Sequence, residues 1–185
     1  TPTTGTWSVQ TGNPAGATLG TTTGGIASVS FAANASGIYN FIYTANGCTD
    51  TMNVTVNPKP NAGANQTSIC AGTSATLTGT TPTTGTWSVQ TGNPAGATLG
   101  TTTGGIASVT FASNASGVYN FIYSSSGCTD TMNITVNAKP NAGSNQTSIC
   151  AGTSTTFTGT TPTTGTWTAQ TGNPAGATLG TTTGG

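Results

Sequence analysis

The amino-acid sequence repeats itself every 80 residues, and that period constrains the fold more than any other feature. Thr1-Pro2-Thr3-Thr4-Gly5-Thr6-Trp7 returns at Thr81 to Trp87 and again at Thr161 to Trp167. Cys48 and Cys70 return as Cys128 and Cys150. Of 105 residue pairs one period apart, 13 differ, and the swaps are mild: Leu77 against Phe157, Ile38 against Val118, Val54 against Ile134. These three swaps keep an apolar residue at an apolar position, as a packed interior requires. A unit of this length is too long for one turn of a solenoid and suits a small domain, so the chain reads as beads in series. It opens and closes in mid-unit without an initiator Met, which fits a window on something longer.

Proline beside lysine at Pro58-Lys59-Pro60 and at Lys139-Pro140 marks two short, stiff linkers. They divide the chain into a partial unit, 1–60, lacking its first strands; a complete unit, 61–140; and the N-terminal part of a third, 141–185. Within the complete unit every segment reads as strand or turn. Gln66 to Cys70 and Ser74 to Gly79 are followed by Gly85 to Gln90, which carries Trp87 and Val89 on one face. The stretch from Thr91 to Gly96 is a loop, and Ala97 to Thr101 a weak edge strand. Ile106 to Ala112 alternates through Val109 and Phe111. Gly117 to Tyr123 aligns Tyr119, Phe121 and Tyr123, and Thr129 to Val136 aligns Met132, Ile134 and Val136. About seven short strands per unit, roughly ten residues apart, predict an all-β sandwich.

The pattern resembles the immunoglobulin-like and polycystic-kidney-disease-like (PKD-like) tandem repeats of very large Bacteroidota surface proteins. It is carried by Asn65-Gln66-Thr67-Ser68-Ile69-Cys70, Gly85-Thr86-Trp87-Ser88, Gly117-Val118-Tyr119-Asn120-Phe121 and Gly127-Cys128-Thr129-Asp130. The resemblance implies a β-sandwich in which the Gly-x-Tyr stretch opens a late strand, much like a tyrosine corner. It also implies display outside the cell, in adhesins or filaments.

Composition excludes most chemistry. The chain holds two Lys and two Asp and lacks His, Glu and Arg. Serine and threonine therefore have no side chain to activate them, there is no acidic cage for a metal, and no basic face for nucleic acid. No apolar run is long enough to span a bilayer. The sequence thus predicts neither an enzyme nor a cofactor. A surface with almost no charge tends to associate, so the expected partners are other copies of the chain, with O-linked glycans on its surface and host or neighbouring cells as contacts.

Two cysteines per unit without a metal-ligating His read as disulfides of an oxidising compartment. Two pairings fit the period. Cys70 can bond Cys128 within one unit, leaving Cys48 and Cys150 to partners outside the chain; or Cys48 can bond Cys70 and Cys128 bond Cys150, across the linkers. Loop entropy gives roughly 4 kcal/mol for the first and about 3 for the second, too close to decide. The thin core of a small sandwich favours the first. Asp50-Thr51-Met52 and Asp130-Thr131-Met132 are similar to the O-glycosylation signal of Bacteroidota surface proteins, which makes Thr51 and Thr131 the candidate sugar attachment sites. Alternation places Thr131 outward if Met132 faces in. Trp7, Trp87 and Trp167 could stack on carbohydrate in an adhesive module, although a core tryptophan fits the third strand better. Ice binding lacks the short regular threonine step that it needs. The function expected from the sequence is a structural repeat region of an extracellular filament or adhesin stalk.

Overall fold

The structure, a computed structural model, describes residues 4–146 and 148–181, and every strand in it lies between Thr6 and Asn137. The second unit contributes β6 (Gln66–Cys70), β7 (Ser74–Thr78), β8 (Thr86–Val89) and β9 (Ala97–Leu99). It continues with β10 (Ile106–Phe111), β11 (Gly117–Ser125) and β12 (Cys128–Asn137). They form a four-stranded sheet in the order β6-β12-β11-β8 and a three-stranded sheet in the order β7-β10-β9. All pairings are antiparallel except one: β6 runs parallel to β12. Two such sheets, with the first strand running alongside the last, make an immunoglobulin-like sandwich.

Alternation along the strands builds the interior. Leu77, Val109 and Phe111 from one sheet meet Tyr119, Phe121 and Ile134 from the other in a single buried cluster. Their outward neighbours are mostly Thr, Ser and Asn. Strands β11 and β12 turn over Ser126-Gly127, whose φ values of 50° and 79° are those of a type I′ hairpin. This turn lengthens the hairpin beyond the Tyr123 end expected from the sequence, up to Ser125↔Cys128. Strand β6 carries one extra residue between Gln66↔Ile134 and Ile69↔Val136, and Ser68 in that bulge has φ 64°.

The aromatic residues fix the unit from inside. The Tyr123 ring lies 4.8 Å from that of Trp87, and the Trp87 indole N–H donates to the Gly105 carbonyl at 2.8 Å. The Tyr123 hydroxyl accepts from Gly85 N–H at 2.9 Å and donates to the Pro82 carbonyl. Gly79, Gly85 and Gly105 press so closely on this side chain that a Cβ at any of them would overlap it. At the other end of the same face the Tyr119 hydroxyl donates to the Ala95 carbonyl at 2.8 Å, the tie that a tyrosine corner implies. Nearby, Asn93 grips the backbone of Asn120 with both halves of its amide, accepting from N–H and donating to the carbonyl.

The first unit repeats this architecture with β1 (Thr6–Val9), β2 (Ala17–Thr23), β3 (Ile26–Phe31), β4 (Gly37–Ala45) and β5 (Cys48–Val56). Its sheets are β1-β4-β5 and β2-β3, the second unit's sheets without the counterparts of β6 and β7. The loss shows at once in burial: Met132 is 2% exposed, whereas its equivalent Met52 is 51% exposed. Burying a side chain of that size contributes about 1.5–3 kcal/mol, so the first two strands close the core as well as extending the sheets. Among the described residues of 141–181 there is no strand, only the isolated bridge Asn141↔Thr161.

The glycine cradle predicts that Gly85→Ala destabilises the chain by about 1–3 kcal/mol in urea unfolding, through overpacking against Tyr123. Gly180→Ala, where an added methyl meets nothing within 4 Å, leaves the midpoint unchanged.

Candidate functional site

The chain places its chemistry-bearing residues at two locations, the junction between units and the outer face of the four-stranded sheet. At the junction, the Asn57 side-chain amide donates to the Ser126 carbonyl at 2.8 Å, 69 residues away. The β11–β12 turn of the second unit therefore faces the end of β5 in the first, and the units follow one another along the strand direction. Just past that turn, Asp130 accepts from Ala62 N–H at 2.9 Å. Its carboxylate thereby pins the start of the unit to the start of β12. In the first unit, Asp50 instead accepts from its own neighbour, Thr51 N–H, at 2.8 Å. The single acidic residue of each unit has a structural task that its short local motif does not reveal. Lys59 and Lys139 stay exposed in the linkers.

The outer sheet face is polar, neutral and repeated. Thr131 lies on it, exposed and opposite Ile122 across the strands, with Asn133 opposite Asn120 further along. Thr51 holds the same place opposite Ile42 in the first unit and is also exposed. Val118, 48% exposed, adds an apolar spot to this face. Trp87 is buried in the core and offers no platform for a sugar ring, while Trp7 and Trp167 are half-buried. Among the described residues, no group of three His, Cys, Asp or Glu side chains could hold a metal ion, and no helix is long and apolar enough to cross a membrane.

The structure sets Cys70 and Cys128, the expected disulfide partners, at opposite ends of one strand. Because β6 runs parallel to β12, Cys70 sits beside Asn137, at the end of β12, whereas Cys128 begins that strand. Ten residues of strand separate the two ends, about 30 Å, against the roughly 7 Å between Cα atoms that a disulfide tolerates. Pairing Cys48 with Cys70 meets the same obstacle over a longer path. Cys48 begins β5 at the end away from the junction, and Cys70 lies at the far end of the next unit. A bond between Cys70 and Cys128 needs the end of the first strand to meet the start of the last, and the parallel register puts it at the other end.

No family model and no curated protein matches the chain. Solved structures with a similar arrangement include domains 4 and 5 of the S-layer protein SbsC, at 20% identity over 73% of this chain and 71% of that one, with a TM-score of 0.30. An I-band fragment of titin is 10% identical over 74% of this chain and 56% of that one, with a TM-score of 0.33. An endo-fucoidan hydrolase from glycoside hydrolase family 107 is 15% identical over 74% of this chain, with a TM-score of 0.30. The chain spans about a quarter of that hydrolase, 24% of its length, and 23% of a longer SbsC fragment. Likeness at this level carries no function, and the immunoglobulin-like assignment rests on the strand order and register described above.

The register predicts that replacing Cys70 and Cys128 together by Ser shifts the unfolding free energy by less than about 0.5 kcal/mol, as at ordinary surface positions. Non-reducing peptide mapping should yield no fragment joining the two. Asp130→Ala, by contrast, leaves the Ala62 N–H without its acceptor and costs about 1–3 kcal/mol in the same unfolding measurement.

Proposed function

We propose that this chain belongs to the repeat region of an extracellular structural protein, the stalk or filament of a bacterial surface, with the unit 61–140 as its module. The observation that carries the reading is the end-to-end junction: the hairpin turn of one unit receives Asn57 from the unit before it across a short proline linker. Such a joint propagates through any number of near-identical units and gives a rod whose length scales with copy number. The side faces carry threonine, serine and asparagine with almost no charge, so neighbouring rods meet little repulsion. Nothing in the unit supplies the activated nucleophile or acid–base pair of an enzyme. The adhesive alternative has lost its best anchor, since the Trp87 ring is enclosed.

Electron microscopy of the secreted protein tests this reading. It should show ordered filaments with an axial repeat of about 40 Å, one strand length plus a linker. Dispersed, unordered chains would contradict it.

The same outer face makes Thr51 and Thr131 accessible to a glycosyltransferase, and sugar there would coat the rod. Protein secreted from a Bacteroidota host should be heavier than the bare chain by intact mass, and Thr51→Ala with Thr131→Ala should remove the increment. A mass equal to that of the bare chain ends the proposal of a glycan coat.

A further inference from the structure

We infer that a disulfide closes each joint between units, the thiol at the Cys70 position of one unit bonding the thiol at the Cys128 position of the next. This deepens the stalk reading above and rests on its end-to-end joint.

Parallel pairing carries Cys70 to the end of β12, where it lies beside Asn137, with neighbouring strands about 4.8 Å apart. The Ala71 N–H donates to the Asn137 carbonyl at 2.9 Å, so the pairing holds past the thiol. Asn137 and Asn57 are the same position one period apart. Asn57 is where the following unit docks, its side-chain amide donating to the Ser126 carbonyl at 2.8 Å. Cys128 is two residues beyond Ser126, at most about 7 Å along the chain. This asparagine position therefore has one thiol at its side and, across the joint, the second thiol one hairpin turn away. Cys70 is exposed and Cys128 half-buried, so neither is sealed in a core.

The other pairings lack this proximity. Cys70 and Cys128 of one unit stand at opposite ends of β12, about 30 Å apart. A bond from Cys48 to Cys70 would join the outer ends of two successive units. Across the joint, one cysteine comes from each side. Each unit gives its Cys70 position to the joint after it and its Cys128 position to the joint before it. Two cysteines per 80-residue period, at opposite ends of the sandwich, are what such an array needs.

The bond forms by thiol–disulfide exchange with a low-molecular-weight disulfide. One cysteine thiolate attacks the reagent, whose S–S bond breaks to release one thiol and leave a mixed disulfide. The second thiolate displaces the other half as a second thiol, so two electrons and two protons pass from the cysteine pair to the reagent. Each joint then has two covalent connections, the proline linker and the disulfide, and a pull along the rod is shared between them. The units no longer pivot about the linker alone, which stiffens the rod without any change inside the sandwich.

The test uses the 185-residue chain continued by a copy of residues 106–140, which completes a third unit. One variant keeps only Cys70 and the added counterpart of Cys128. A second keeps only Cys70 and Cys128, with Ser at every other cysteine position in both. Near-ultraviolet circular dichroism, which reads the packed aromatics, should be the same for the two. After equilibration with a small-molecule disulfide, the first variant should lose both thiols while remaining a monomer, and non-reducing peptide mapping should show its two cysteine peptides joined. The second should form no internal bond. A first variant that forms no bond, or bonds only between molecules, overturns the inference, as does an internal bond in the second. If the first variant forms no bond while the secreted protein still makes ordered filaments, the crosslink fails and the stalk reading stands.

Discussion

Each unit depends on one buried contact, the Tyr123 ring held against Trp87 and enclosed by Gly79, Gly85 and Gly105. The three glycines come from three separate stretches of chain, so one side chain gathers β7, the turn before β8 and the turn before β10. Its hydroxyl is satisfied by Pro82 and Gly85, and the indole N–H beside it by Gly105. Two large polar aromatics can be buried here without an unpaired group, which would otherwise cost about 1–3 kcal/mol each. The first unit keeps the same arrangement, with Tyr43 5.0 Å from Trp7 and its hydroxyl accepting from Gly5 N–H at 3.1 Å.

That contact explains how a chain with so little charge and so much threonine folds to a defined sandwich. The aromatic cluster fixes which strands meet, while the threonine-rich outer positions contribute strand propensity and few specific contacts. Closure still requires β6 and β7. Without their counterparts, Met52, Trp7 and Val29 remain partly open to solvent even though β1 to β5 are in place.

Alternation made most of the fold legible in the sequence. Val109 and Phe111, Tyr119 and Phe121, and Ile134 and Val136 mark the inward faces of β10, β11 and β12, and the structure buries all six. The direction in which β6 runs had no such local mark. Parallel pairing with β12 is a relation between residues 66 and 134, and nothing near either of them encodes it. The distance between Cys70 and Cys128 was hidden for that reason. The task of Asp130 was hidden likewise, because its partner Ala62 lies 68 residues earlier. Gly79 and Gly85 read in sequence only as strand ends; the role of Gly79, Gly85 and Gly105 as the walls of a tyrosine pocket needed the tertiary contact.

The account stands or falls on the claim that β6 and β7 close the sandwich over the aromatic core. Amide hydrogen exchange compared between β5 and β12 of the 185-residue chain tests it most directly. There β12, covered by β6, should be strongly protected, while β5 exchanges quickly. Equal protection of the two strands would contradict it.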